Sequence, residues 1–190
     1  MMPIGPLMEE HRLIEKLMPH LRRAAEAGRR DGRIDPRFVD LALDFIRTYA
    51  DRCHHGKEED ILFKVLESKP LTAAHRATMD ELVEEHKRGR QWVRELAEAS
   101  EAHKSGDGGA LAVILERLEF LATFYPAHIR KEDEVFFLPA MGYLSDREKA
   151  AMIEAEHEFD RNFIHALYRE KIESIGVGPQ QSKPYQPVNT

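Results

Sequence analysis

The sequence predicts an all-α protein, an up-down-up-down four-helix bundle followed by an additional C-terminal helix and a tail. Three observations predict it. Charged residues make up 33% of the 190, while Gly and Pro stay modest, a balance that suits long amphipathic helices better than sheet or disorder. Apolar residues recur at alternating spacings of three and four over long stretches. Finally, one pattern occurs twice: His, three residues, Glu, an acid, two residues, two apolar residues. It is read at His54–Phe63 and again at His128–Phe137. On an α-helix, positions i and i+4 share a face about one turn apart.

The first helix is expected from about Pro6 to Ala27. Its inward stripe is Leu7, His11, Ile14, Met18, Leu21 and Ala25, with His11 the polar member. Pro19 lies within it and is expected to bend or break it. Residues 28–33 read as a polar turn. Asp35-Pro36, an N-cap acid followed by proline, opens a second helix that runs to about Glu67. With His54 as reference, Ala50, Glu58, Ile61 and Val65 fall within roughly 40° of it. Phe38, Phe45, Tyr49 and Phe63 lie on the other side, so a cover is needed there, either the last helix or a second copy of the chain.

Ser68-Lys69-Pro70 ends that helix. The third runs from about Thr72 to Lys104, with Met79, Leu82, His86, Gly89, Val93 and Leu96 as its stripe. Gly89 reads as close helix packing or as room beside a ligand. After a Gly-rich turn at 105–109, the fourth helix runs from Ala110 to about Leu138. Ile114, Leu118, Leu121, Tyr125, His128, Glu132 and Val135 face inward, and Pro126 is expected to kink it. Ser145-Asp146-Arg147-Glu148 is a capping box that opens a fifth helix to about Ile172. The units are therefore a bundle over 1–142, an added helix over 143–174 and an extended tail over 175–190.

Composition narrows the chemistry. A net charge of −6 argues against nucleic acid as a partner. A single cysteine excludes an internal disulfide framework and a Cys-built zinc cage. No run of eighteen uncharged apolar residues is present, and the opening residues hold no apolar signal region, so the expectation is a cytoplasmic protein without a membrane partner. Ten histidines is a high count for this length, and histidine is the commonest metal ligand.

In such a bundle the end of the second helix, the start of the third and the end of the fourth lie at one end. His54, His86 and His128 each sit roughly ten to fourteen residues in from it. His11 fits if the first helix starts a turn or two below the rim. Four helices then each turn one imidazole toward a common level, and two add a carboxylate, Glu58 and Glu132. Burying these groups without a cation is costly. The inventory exceeds one tetrahedral zinc and suits two first-row metals bridged by Glu58 and Glu132, iron or manganese above all.

The Glu10-His11 opening, His54 with Glu58, Glu85-His86 and His128 with Glu132 resemble the hemerythrin family, specifically the bacterial hemerythrin-like (HHE cation-binding) domains, over about Leu7 to Met141. The resemblance implies a four-helix bundle around two non-haem iron ions, with manganese or zinc as the other candidates. It implies His11, His54, His86 and His128 as terminal ligands, Glu58 and Glu132 as bridges, and an open position for O2 or a relative such as NO. The oxygen carriers' third helix supplies two histidines four apart; here His86 has Leu82 before it and Arg90 after it. His55 is the candidate replacement, although on an α-helix it points roughly 100° from His54. A surface or supporting role is the other reading.

The remaining candidates read as supporting. Cys53 reads as a packed thiol and Tyr125 as core. Glu59, Asp60 and Asp133 face solvent or bond to the histidines. His20, His75, His103, His157 and His165 read as surface residues. Three functions remain: a di-iron protein that binds O2 or a related diatomic molecule for sensing, storage or redox work; a di-iron oxidase, peroxidase or NO-handling enzyme; or a metal-stabilised regulatory module docking a partner, a second copy included, through the Phe38/Phe45/Tyr49/Phe63 face.

Overall fold

The computed structural model describes residues 2–161 and 165–176, and among these no strand is present. Four long helices come first: α1 (Ile4–Asp31), α2 (36–67), α3 (Ala73–Lys104) and α4 (110–140). Two shorter ones follow, α5 (Asp146–Asp160) and α6 (His165–Gly176). The fifth helix foreseen as one element is thus two, since α5 ends at Asp160. The foreseen tail lies outside the described residues from 177 onward.

Local chemistry sets the ends. Gly32, at φ +65°, closes α1 in the left-handed conformation that a Cβ disfavours, and its N–H donates to the Gly28 carbonyl. Asp35 accepts from the Arg37 N–H, and Thr72 from the His75 N–H. Ser145 and Glu148 form the reciprocal capping box. Helix α1 runs through Pro19 without interruption and continues to Asp31, into the first part of the expected polar turn. Helix α4 likewise runs through Pro126. Proline has no N–H to give the Ala122 carbonyl one turn back, and that oxygen accepts from Arg22 of α1 at 3.4 Å instead.

Helices α2 and α4 are not α-helical throughout. Ile46–His55 and Glu58–Phe63 of α2, and Glu132–Phe137 of α4, are π-helical. A π turn holds more residues than an α turn, so each residue turns the chain less and the inward face advances along the sequence. Residues Ile61 and Val65, expected to face inward, are only half-buried, while Leu62 and Leu66 are fully buried. Val135, also expected inside, is 52% exposed, and Phe136 is buried in its place.

The core is divided in two. One cluster holds Leu13–Ala25 side chains of α1, Val39–Ala50 of α2, Val93–Ala99 of α3 and Ile114–Ile129 of α4. The other holds Ile4 and Leu7, Leu62–Leu66, Met79 and Leu82, and Phe136–Ala140. Along each long helix the polar candidate residues fall between the two clusters.

The apolar side of α2 is not a free face. Phe45 and Tyr49 are covered by Tyr168 of α6, with ring centroids 5.9 Å away in each case. Phe63 meets Phe136 edge-on at 5.7 Å. Phe38 packs against the larger core cluster. The chain covers its own aromatic face, so the docking surface expected there is already occupied. At Gly89 an added Cβ would stand 3.4 Å from the Phe124 ring, an ordinary contact, so helix packing alone does not require glycine there.

Candidate metal centre

All seven candidate ligands come together in the layer between the two cores, and all are buried. They form two adjoining groups. His11 and His54 share one with Glu58 and Glu132; His55, His86 and His128 form the other, the donor atoms of each group lying within 4.8 Å of one another. The two carboxylates face both groups. Glu58 turns Oε1 toward His54 Nε2 at 3.3 Å and His11 Nε2 at 3.8 Å, and Oε2 toward His86 Nε2 at 3.4 Å. Glu132 turns Oε2 toward His11 Nε2 at 3.2 Å, and Oε1 toward His128 Nε2 at 3.2 Å and His86 Nε2 at 3.6 Å.

The π turn brings in His55. Less rotation per residue lets the consecutive His54 and His55 both point into the bundle, and each is almost wholly buried. The His55 ring stacks on His86 with centroids 3.9 Å apart and planes within 13°. Helix α2 thereby places a third imidazole beside His86 and His128, where α3 offers Arg90 instead of a second histidine.

Each of the five imidazoles has its Nδ1 bound to a carboxylate. The partners are Asp133 for His11 (2.8 Å), Glu10 for His54 (3.0 Å), Asp51 for His55 (3.3 Å), Glu59 for His86 (2.7 Å) and Glu85 for His128 (2.8 Å). A carboxylate on Nδ1 fixes the ring and makes Nε2 a better donor, the usual support of a metal-ligating histidine. Four of these acids adjoin a ligand in sequence but serve the ligand of another helix: α1 to α2, α2 to α3, α3 to α4 and α4 back to α1. Of the five, Glu59 and Asp133 were recognisable as supports. Glu10 and Glu85 were visible only as neighbours of histidines, and Asp51, one turn before His55, gave no signal. Asp60, by contrast, is exposed, as are His157 and Met2.

The electrostatics describe a site short of positive charge. Burial and the neighbouring His11 push His54 down to about 4; burial and His86 push His55 well below its ordinary value. Burial works against charging His11, but its bond to Asp133 and the nearby Glu132 carboxylate prevail and raise it to about 9. His128, opposed by burial and held by Glu132 and Glu85, rises to about 10. Burial and the charge of Glu132 push Glu58 well up, whereas Glu132, despite burial, is held well down by His128 and His11. The two carboxyls are thus pushed in opposite directions by their shared surroundings. Even so, Nε2 of His11 and His54 and all four oxygens of Glu58 and Glu132 are buried without a hydrogen-bond partner. Orphaned polar atoms of this kind cost several kcal/mol, on the order of 1–3 kcal/mol each. They converge where His11, His54, Glu58 and Glu132 meet, and a cation there would satisfy them. The residues fit bound metal cations.

The sequence model of the hemerythrin HHE cation binding domain matches residues 2–139. This chain belongs to that family. No curated protein and no solved structure matches it. The HHE domain binds metal cations, typically iron, and its matched range takes in all seven candidate ligands and all five supporting acids. The match ends just inside α4's last turn, so α5 and α6 lie beyond it.

Those two helices still touch the HHE domain's polar layer. Lys57 is fully buried, and its ammonium bonds to Glu10, the support of His54, and to Asp160 of α5 at 2.6 Å. Glu10, Cys53, Asp160 and His165 are close enough to resemble a further cation site. The Lys57 ammonium is already the cation among them. Cys53 is the packed thiol expected, with burial and the Glu10 charge pushing it up to about 12. His165 proves half-buried, with Nδ1 3.2 Å from the Tyr49 hydroxyl, and not a surface residue. Among the described residues no helix is long and apolar enough to cross a membrane.

Proposed function

We propose that this chain is a di-iron protein whose centre binds O2 or a related diatomic molecule such as NO, in sensing, storage or redox work. The observation that carries the reading is the five-imidazole layer with two carboxylates that each face both groups. His55, His86 and His128 with one oxygen from each carboxylate would give one ion five ligands. His11 and His54 with the other two oxygens would give its neighbour four. Neither set reaches the six of an octahedral ion, so room for an exogenous ligand remains. A bound metal pair would supply the electrons and open positions that such a ligand needs.

The chain's own residues do the rest. Asp133, Glu10, Asp51, Glu59 and Glu85 keep the five Nε2 atoms aimed inward. Phe137 lies parallel to His11 at 5.6 Å, and Phe124 lies close to parallel to His128 at 5.3 Å, so apolar rings cover one face of each imidazole. An up-down-up-down course of α1–α4 belongs to the same reading. It is supported by connections of only four or five residues and by the two core clusters, which exchange order from each long helix to the next.

Metal analysis of protein purified without added metal, with absorption spectra before and after O2, tests the proposal. About two iron ions per chain and a spectrum that O2 changes are expected, with about one ion lost in His55→Ala. Zinc alone, or a spectrum indifferent to O2 and NO, would sink it.

A further inference from the structure

A cavity of about 180 Å³ lies between α2 and α3 on the side of the centre where His55 stands. Its lining includes Arg47, Asp51, His55, Arg90, Arg94 and Tyr125. Exposure runs from mouth to floor. Arg47 and Arg94 are exposed, Asp51 and Arg90 are half-buried, and His55 and Tyr125 are 2% exposed. The cavity therefore leads from solvent to one of the three imidazoles of the second group.

Its charge is opposite to that of the molecule. The chain carries −6, yet the lining holds three guanidinium groups against one carboxylate. Arg90 is committed to Asp51 at 2.7 Å and to Glu59 at 2.8 Å. Arg47 and Arg94 make no hydrogen bond or ion pair with any described residue. Two guanidinium groups not tied into an ion pair at a mouth, above a floor of imidazole and phenol, attract anions and repel cations. A concave site of one sign raises the local concentration and arrival rate of an oppositely charged solute. The volume admits a few atoms beyond water and no more than a small molecule.

We infer that this cavity is the entrance through which a small monovalent anion, of the nitrite class, reaches the centre. The inference rests on the metal-centre reading and adds the charge class of what is admitted. Arg47 and Arg94 draw the anion in. Arg90 stays bound to the acids that hold His55 and His86, and so keeps the floor in place.

Azide is a suitable probe. In the iron-loaded protein its association rate should fall about tenfold from low to high salt. In Arg47→Gln/Arg94→Gln the low-salt rate should drop by a similar factor, with iron content retained. The metal-free protein gives an independent readout: azide should shift the amide resonances of Ile46 and Val93, which also line the cavity, in the unsubstituted chain and not in the double variant. An iron-loaded protein whose azide rate ignores salt and both substitutions overturns the entrance and leaves the centre standing. Absence of the amide shifts does the same. A chain that takes up no iron overturns the centre and the entrance with it.

Discussion

Asp133, on the last long helix, binds Nδ1 of His11, on the first, at 2.8 Å, and this bond closes a circle of four acid–imidazole contacts around the bundle. The other oxygen of the same carboxylate is held by Arg12. Removing the acid frees the ring to rotate and weakens Nε2 as a donor. Asp133→Ala should lower metal affinity about 10–100-fold, measured by competition with a chelator. Arg12→Ala, which leaves the acid in place, should change it far less. Equal losses in the two variants would show that the outer ion pair, and not the imidazole bond, matters.

The buried ammonium of Lys57 makes a second, separable prediction. It stands between Glu10 and Asp160, so Lys57→Met leaves two carboxylates near each other without a cation. Breaking a buried pair this way costs about 3–5 kcal/mol. Denaturant melts of the metal-free protein should show that loss, and proteolysis should then cut more readily near α5. A loss within about 0.5 kcal/mol, the range of an ordinary surface change, would mean the ammonium is not buried as described.

The register slip across the π turn of α4 can be checked by two truncations. Phe136→Ala should cost about 3–5 kcal/mol, because the ring is buried in the smaller core. Val135→Ala should stay within about 0.5 kcal/mol, because its side chain is half in water. An unbroken α-helix predicts the reverse order, so thermal melts of the two variants decide between the registers.

The metal-free protein should lose stability as the solution is made alkaline. The pKa values of His11 and His128 are raised in the folded chain, to about 9 and about 10. A raised value contributes stability that is fully present below the unfolded value, about 6.5, and is lost as pH climbs through the folded value. Glu58, also raised, acts in the same direction. The midpoint of thermal unfolding should therefore fall between pH 7 and pH 10 without metal. Iron displaces those protons, so the loaded protein should show a smaller decline, and loading near neutral pH should release protons into a weak buffer. A metal-free protein equally stable at both pH values would contradict the assignment.

Much of this molecule follows from residue order alone. The three-and-four spacing of apolar residues specifies the long helices, and Asp35-Pro36, Thr72 and the Ser145–Glu148 box specify where three helices start. The repeated His-x-x-x-Glu pattern specifies that a carboxylate follows an imidazole inward on two helices, because four residues are about one turn. The match of residues 2–139 to the HHE family spans those same positions.

Tertiary structure decided the rest, and the physical reason is rotation per residue together with the partner helix. Periodicity assumes a constant turn, so it places His55 aside and Ile61, Val65 and Val135 inside. The π segments change the turn, put His55 in the layer with His86 and His128, and bring Leu62, Leu66 and Phe136 in. Likewise Glu10 and Glu85 stand beside His11 and His86 in sequence yet bind His54 and His128, since a side chain's partner is whatever the neighbouring helix presents at its level. The sequence by itself determined which candidate ligands the helices carry; packing determined which imidazoles group together and which acid holds each one.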